Sequence, residues 1–240
     1  MTRRRVAWFH CFSGIAGDMA FGSLVDAGAS LDTVLDGLRT LPVDGWAVEA
    51  VPVLRGGIAA THLRVTADES GVVRTAADVA ALVSAADLPP RAVERALRTF
   101  RLLAEAEGRL HRMPPEAVHF HEVGGIDAIV DVVGTCLALE DLGIDEVYAS
   151  AVATGTGTIR AAHGRLPNPP PAVVELLRGA PVYGVALPIE LTTPTGAALL
   201  AANVSGWGPL PRLESLEASG FGAGSREVDG QPNATQVVVG

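Results

Sequence analysis

The chain has 240 residues, a formal net charge of −9 and a hydrophobic fraction of 48%, and all 18 of its basic residues are arginine. An acidic chain without a basic block is a poor candidate for binding nucleic acid or an anionic membrane. The lack of lysine excludes a P-loop and a Schiff-base mechanism. No apolar run reaches the length of a membrane span. The two cysteines, Cys11 and Cys136, are far apart in sequence, which fits a protein of the reducing cytoplasm.

Strand-like and helix-like patterns alternate along the chain. The predicted strands cover 6–12, 46–53, 58–67, 118–123, 146–153, 182–185 and 235–239, with the second and third forming a β-hairpin. The predicted helices cover 18–27, 31–41, 75–86, 90–111, 126–142, 168–178 and 197–203, and residues 220–226 form a glycine-rich turn. This order predicts an α/β fold, with mixed α+β organisation left open, in which helices flank a mixed sheet. We expect one large domain or two closely packed subdomains, with a soft boundary near 67–75.

Several ionisable residues follow one another in the second half of the chain. His119 and His121 alternate with Phe120 in a predicted strand, so both imidazoles face one side while Phe120 points into the core. Glu122 follows, and Asp127 and Asp131 lie one turn apart on the next helix. Imidazole and carboxylate ligands suit a divalent transition metal, and imidazole favours nickel, zinc, copper or iron. The alternative for each single residue is a core histidine or a helix-start charge, but burying the whole group without a ligand is costly.

A second candidate site lies where the first predicted strand ends. His10 and Cys11 are metal-capable, and a turn containing Ser13, Gly14 and Gly17 leads into a helix that begins near Asp18. Backbone N–H groups at such a helix start favour an anion. Asp18 is either a helix cap or a ligand, and a plain tight turn is the alternative for the glycines.

Three threonines form a similar helix start later in the chain. Thr192 and Thr193 precede a proline, and Thr195 follows it. This pattern predicts helix capping or a second cradle for phosphate or carboxylate. The chain contains no GxSxG segment, so a serine hydrolase is not indicated.

Five segments, taken together, resemble successive motifs of the LarC family of nickel insertion proteins. They are CFSGIAGDM (11–19), VHFHEVG (118–124), AHGRLP (162–167), ELTTPTGA (190–197) and GFGAGSR (220–226). The resemblance implies an enzyme of the lyase class that inserts nickel into pyridinium-3,5-bisthiocarboxylic acid mononucleotide. The product is the nickel-pincer nucleotide cofactor of lactate racemase. The reaction would use CTP and a divalent ion such as manganese. His10 stands where the family usually has Asp.

The resemblance also suggests a division of roles. His119, His121, His10, Cys11 and Asp18 would bind nickel, while Glu122, Asp127 and Asp131 would serve catalysis. The turn and threonine motifs would bind the phosphate of the mononucleotide. The family's region for CTP lies beyond this stretch, so a separate C-terminal polypeptide and the acceptor nickel-pincer enzyme are expected partners, and a homo-oligomer stays open. The competing interpretations are a nickel or cofactor carrier without turnover and a metal-dependent hydrolase.

Overall fold

The structure is a computed structural model that describes residues 4–68, 73–120, 124–161 and 164–240. The predicted ligands His121 and Glu122, and His163 of the third motif, lie outside the described residues. The proposed soft boundary at 67–75 also overlaps an undescribed stretch, so it stays a prediction.

The described residues contain seven α-helices, close to the positions that the sequence predicts. They are α1 (Gly17–Asp26), α2 (Leu31–Leu38), α3 (Ala76–Ala85), α4 (Pro90–His111), α5 (Ile126–Asp141), α6 (Pro171–Leu176) and α7 (Pro194–Asn203), with a short 3₁₀ helix at Pro115–Ala117. Helix α4 begins at Pro90, where the fixed φ of proline suits the first turn. It ends before Arg112, whose φ of 53° is left-handed.

The strands of the described residues form one large sheet and three small ones. They are β1 (Val6–His10), β2 (Trp46–Arg55), β3 (Ile58–Ala67), β4 (Arg74–Thr75), β5 (His119–Phe120), β6 (Glu146–Ala149), β7 (Val152–Thr154), β8 (Thr158–Ala161), β9 (Gly164–Pro167), β10 (Val182–Gly184), β11 (Val204–Trp207), β12 (Ala218–Ala223) and β13 (Ala234–Val239). The seven-stranded sheet has the order β11-β6-β1-β13-β12-β3-β2. The small sheets pair β10 with β7, β4 with β5, and β8 with β9.

Parallel and antiparallel pairs are mixed in the large sheet. β1 is parallel to β6 and antiparallel to β13, and β12 is antiparallel to β13 but parallel to β3. Helix α1 packs on β12 and β3, while α5 packs on α1, and α4 packs on α5 and α7. The prediction of an α/β fold with a mixed sheet and flanking helices is therefore confirmed.

The two faces of β1 have different surroundings. Ala7 and Phe9 belong to the main hydrophobic core beneath the helices. Trp8 and His10 point to the opposite face, where their rings stack with centroids 4.9 Å apart. This alternation follows from the two-residue period of a strand.

The glycine-rich segment that was predicted as a turn is instead strand β12, so this prediction is wrong over Gly220 to Ala223. The glycines allow α1 to approach the strand backbone. A Cβ on Gly222 would lie 1.8 Å from Met19 O, and a Cβ on Gly220 would lie 2.4 Å from Ser23 O. In the sequence, these glycines resemble those of a turn. In the structure they are strand residues, and glycine is present because α1 packs closely against the strand backbone.

The single strand predicted over 146–153 is also wrong, because the chain turns at Ser150 and forms two strands. The Ser150 hydroxyl oxygen accepts a hydrogen bond from Cys11 N (2.9 Å), and the hydroxyl donates to Ala151 O (2.8 Å). A serine that bonds neighbouring backbone groups interrupts the strand ladder. β6 pairs with β1, whereas β7, after the turn, pairs with β10.

The core is mainly aliphatic, and helix α5 contributes many of its residues, including Ile129, Val133 and Leu139. Among the described residues, no helix combines the length and the apolar character that crossing a membrane requires.

Candidate functional site

A cavity of about 320 Å³ lies where the N-termini of α1 and α7 meet the loop after β12. This volume falls in the range of small-molecule sites. Its polar lining residues are Asp18, Asp131, Glu190, Thr193, Thr195, Ser225, Arg226 and Asn233. Three of the sequence motifs therefore meet in one place, although they are far apart along the chain.

Tight backbone packing between the first and fourth motifs builds the floor of this cavity. Gly14 has a φ of +78°, and a Cβ on it would lie 2.0 Å from Leu191 O. Ile15 forms a bridge with Thr192, and a Cβ on Gly196 would lie 2.2 Å from Ile15 O. Glycine is required at both positions because a side chain would separate the two segments. The two helix starts are thereby held side by side.

One end of the cavity is suited to an anion. Ala16, the N-cap of α1, provides no side-chain cap, and the N–H groups of Asp18 and Met19 instead face the carboxylates of Asp131 and Asp18. Thr193 caps α7 by accepting a hydrogen bond from Gly196 N (3.2 Å), and Thr195 lines the cavity. The positive ends of two helix dipoles therefore face the same space, together with Arg226.

Besides Glu190, two aspartate carboxyl groups lie on the wall of the same cavity. Asp18 is in the first turn of α1, and its Oδ1 accepts a hydrogen bond from Met19 N (2.8 Å). Asp131 reaches the start of α1 from α5, where the backbone N–H of Asp18 faces its carboxylate. Oδ1 of Asp131 is buried and has no hydrogen-bond partner among the described residues. A buried carboxylate oxygen without a donor is suited to a proton or a cation.

Both carboxyl groups have a raised proton affinity, and the charge of Asp18 contributes to that of Asp131. Burial raises the pKa of Asp131 well above its usual range, and the charges of Asp18 and Asp127 raise it further. Burial raises the pKa of Asp18 to about 6, against the opposing effects of His62 and of the Met19 N–H. Like charges in a desolvated site cannot both ionise freely. Without a cation, the pair therefore holds a proton near neutral pH.

His62 on β3 lies beside this pair. Its Nδ1 is 3.0 Å from Ala223 O and 3.8 Å from Oδ2 of Asp18. The imidazole thus connects the first turn of α1 to the end of β12. Residue 62 gave no signal in the sequence, because it occupies an ordinary position in a predicted hairpin.

The loop that carries Arg226 is fixed to its surroundings by hydrogen bonds. Buried Arg55 donates to Gly224 O from Nε (3.1 Å) and from Nη2 (2.9 Å). Asn233 Nδ2 donates to Arg226 O (2.9 Å), and Gln231 Nε2 donates to Ser13 Oγ (2.9 Å). The cavity therefore has a braced wall in which the Arg226 side chain is exposed.

The predicted phosphate-binding residues divide into two groups. Gly17, Thr193 and Thr195 line the cavity. Ser13, Gly14 and Thr192 lie behind it, where Ser13 and Thr192 are buried. The Thr192 hydroxyl donates to Ala153 O (2.8 Å), and Gly14 O accepts from Thr235 Oγ1 (2.8 Å). This second group holds the two loops together rather than facing the cavity.

His10 and Cys11, which were predicted as metal ligands, do not line the cavity. His10 lies between Trp8 and Phe12 on the opposite face of the sheet. Cys11 is fully buried, and burial raises the pKa of its thiol far above its usual range. A thiol in this state is neither a ready nucleophile nor a ready ligand.

His119 and Asp127 lie outside the cavity lining as well. His119 is exposed and pairs with Thr75, whereas Phe120 is buried, as the alternation predicts. Asp127 is exposed one turn before Asp131 on α5. Across the ranges 4–68, 73–120, 124–161 and 164–240, no group of three or more His, Cys, Asp or Glu residues is arranged to hold a metal ion.

Known proteins resemble nearly the whole chain. A family model described as nickel insertion protein matches residues 7–240. A putative nickel insertion protein of Roseiflexus castenholzii is 47% identical over 238 residues, which cover 98% of this chain and 59% of the relative. The pyridinium-3,5-bisthiocarboxylic acid mononucleotide nickel insertion protein of Geobacillus kaustophilus is 40% identical over 246 residues, covering 98% of this chain and 60% of the relative.

A putative nickel insertion protein of Geotalea uraniireducens is 44% identical over 238 residues, which cover 98% of this chain and 61% of the relative. This chain thus spans about three-fifths of the length of the curated relatives it matches. No solved structure gives a significant match. With the family model matching from residue 7 to residue 240, the chain belongs to the nickel insertion protein family.

Proposed function

We propose that this chain binds pyridinium-3,5-bisthiocarboxylic acid mononucleotide in the cavity between α1 and α7 and takes part in inserting nickel into it. The observation that carries the proposal is the pairing of two helix N-termini and Arg226 with the carboxyl pair Asp18 and Asp131 in one cavity. A mononucleotide has a phosphate that suits the first group, and nickel insertion needs ligands or proton acceptors such as the second.

The phosphate would lie beside the start of α7, because the carboxyl pair occupies the start of α1. The Thr193 and Thr195 side chains and the Arg226 guanidinium line the cavity there. Together they supply donors and positive charge without a strong basic patch. This placement directs the pyridinium ring and its two thiocarboxylates towards the carboxyl pair.

Nickel enters this scheme as a substrate. We propose that His119 and His121 receive the ion with one carboxylate from Glu122, Asp127 or Asp131, and pass it to the two sulfur atoms of the mononucleotide. Of these carboxylates, Asp131 lines the cavity and has an unpartnered Oδ1, so it would take the ion over from the histidines and not bind it beside the exposed His119. The exposed position of His119 suits an entry role better than a place in the cavity.

Formation of the nickel–carbon bond releases a proton from the ring. The electron pair of the C–H bond becomes the nickel–carbon bond, so no oxidant or reductant is needed. The proton goes to a carboxylate, and Asp18, whose pKa is raised to about 6, is matched to that task near neutral pH. We assign the overall reaction to the lyase class.

CTP and a divalent ion such as manganese belong to the proposal only through the resemblance, as do a separate C-terminal polypeptide and an acceptor nickel-pincer enzyme. No residue of this chain is assigned to CTP. We place the reaction in the cytoplasm, since both cysteines are free thiols in the structure.

The test is nickel insertion followed by mass spectrometry of the mononucleotide, with CTP and Mn²⁺ present and with the chain assayed both alone and together with the C-terminal region of a relative. We expect Arg226→Ala to raise KM for the mononucleotide, and Asp131→Asn to lower kcat by about tenfold or more. Binding of the mononucleotide and nickel without insertion under any of these conditions would favour a carrier. Absence of mononucleotide binding would refute the proposal.

A further inference from the structure

The orientation of the Asp18 carboxylate is set from two sides. Oδ1 accepts a hydrogen bond from Met19 N at 2.8 Å, which is a contact within the first turn of α1. Oδ2 faces Nδ1 of His62 at a distance of 3.8 Å. The first contact is a hydrogen bond, whereas the second is too long for one, so the N–H edge of the imidazole acts on Oδ2 electrostatically.

His62 is itself held in a defined state. Its Nδ1 is 3.0 Å from the carbonyl oxygen of Ala223, which can only accept a hydrogen bond. Nδ1 therefore carries the hydrogen, and in the neutral ring Nε2 has the free electron pair. Only 13% of the His62 side chain is exposed, and the preceding residue, Thr61, pairs with Gly222 of β12. The sheet thus fixes the Nδ1–H edge of the ring in front of Asp18.

We infer that His62 is a positioning residue, which holds Oδ2 of Asp18 in place at the cavity and binds neither substrate nor nickel. Its bond to Ala223 links the position of Asp18 to the strand that leads into Gly224 and the Arg226 loop. The Asp18 carboxylate and the strand that precedes the Arg226 loop are therefore both in contact with a single imidazole. The expected effect of His62 on turnover rests on the proposed function. The expected effect of His62 on the orientation of Asp18 does not.

Two replacements of His62 distinguish the effect of losing its N–H donor from the effect of losing its ring. Asparagine carries an amide nitrogen on Cγ, the atom that carries Nδ1 in histidine, so His62→Asn retains a donor close to the same place. His62→Ala removes both the donor and the ring. His111→Ala is the matched control, because His111 lies 3.3 Å from the Glu107 carboxylate on α4, away from the cavity.

The first measurement is the crystal structure of each variant. We expect Asp18 to keep its side-chain rotamer in His62→Asn and to change it in His62→Ala, with Met19 and the α1 backbone unmoved. An unchanged Asp18 rotamer in His62→Ala, or a displaced one in His62→Asn, would overturn the inference. This result does not depend on what the protein catalyses.

The second measurement is steady-state nickel insertion. We expect His62→Ala to lower kcat by about tenfold while KM for the mononucleotide stays within about threefold, because the misplaced group is not one that binds the phosphate. His62→Asn should recover most of kcat, and His111→Ala should match the wild type. Equal kcat in all variants would overturn the inference, whereas an inactive wild type with the expected rotamer changes would refute the proposed function alone.

Discussion

Gly17 lies so close to Asp131 that a Cβ on the glycine would be 2.6 Å from Oδ2 of the carboxylate. The first turn of one helix and a carboxyl group of another are therefore in direct contact at the cavity. The contact leaves room for a hydrogen on Gly17 and for nothing larger.

We predict that Gly17→Ala lowers nickel insertion by about tenfold or more, because the new methyl group must move the Asp131 carboxylate from its place. The methyl group would also lie 2.7 Å from Asp131 Cβ, so we expect the free energy of unfolding to fall by about 1–3 kcal/mol, partly offset by the helix preference of alanine. Urea unfolding and turnover of the same preparation measure both effects. Unchanged turnover would mean that the position of Asp131 does not matter.

A second glycine has a structural role that can be measured by stability alone. A Cβ on Gly222 would lie 1.8 Å from Met19 O, so Gly222→Ala must push α1 away from β12. We expect a loss of about 1–3 kcal/mol in the free energy of unfolding, the usual range for overpacking. Gly184→Ala is the control, because its nearest neighbour would be the Thr156 side chain at 3.7 Å. Similar losses in both variants would contradict this account.

The carboxyl pair predicts an unusual dependence of stability on pH. The pKa of Asp18 is raised from 3.8 to about 6, and the pKa of Asp131 is raised as well. The folded chain therefore binds more protons than the unfolded chain across this window. The contribution to stability is fully present below pH 3.8 and is lost as the pH rises through about 6.

In metal-free buffer, Asp131→Asn should therefore gain stability relative to the wild type as the pH rises from 4 to 7.5. The amide mimics the protonated carboxyl group and does not ionise as the pH rises. Asp145→Asn is the control, because the Asp145 pKa is lowered, chiefly by a hydrogen bond from Arg5 N, so its contribution is already present above the usual value of 3.8. That variant should differ from the wild type by a nearly constant amount over the same rise. A constant difference between wild type and Asp131→Asn at all pH values would refute the prediction.

The buried cysteines should be chemically silent in the folded chain. Burial raises the pKa of Cys136 to about 12 and raises that of Cys11 still further. Neither thiol should react with a thiol reagent in native buffer, and both should react in urea. Cys11→Ser should accordingly retain wild-type nickel affinity in equilibrium dialysis. A loss of nickel in that variant would support the sequence-based role of Cys11 as a ligand.

Local signals in the sequence predicted the helices well and the sheet less well. Pro90 marked the start of α4, and the predicted start of the second helix at residue 31 is confirmed, where Ser30 accepts from Thr33 N. β12 was missed because Gly220 and Gly222 are there to admit α1, a partner that is distant in sequence. The break at Ser150 depends on Cys11 in the same way. Contacts between segments that are distant in sequence produce no periodic residue pattern, so they could not be predicted from the sequence.

Some residues of the candidate site were likewise predicted from the sequence, and others were not. Asp18, Asp131, Thr193 and Thr195 belonged to recognisable motifs and lie together at the cavity. His62 was missed, because its importance comes from Ala223 and Asp18, neither of which is near it in sequence. The roles of His10, His119 and the other predicted ligands stay predictions.

The pairing of β1 with β13 affects the order in which this sheet can fold. Ala7 lies opposite Val239, and Phe9 lies opposite Val237, so two neighbouring central strands come from opposite ends of the sequence. During synthesis, β1 must wait for β13 to emerge before it gains that neighbour, although most of the helices that cover it are already complete. Such distant pairing slows folding and leaves strand edges exposed in the meantime. Shortening the chain before Ala234 would remove a strand from the middle of the sheet, not from its margin.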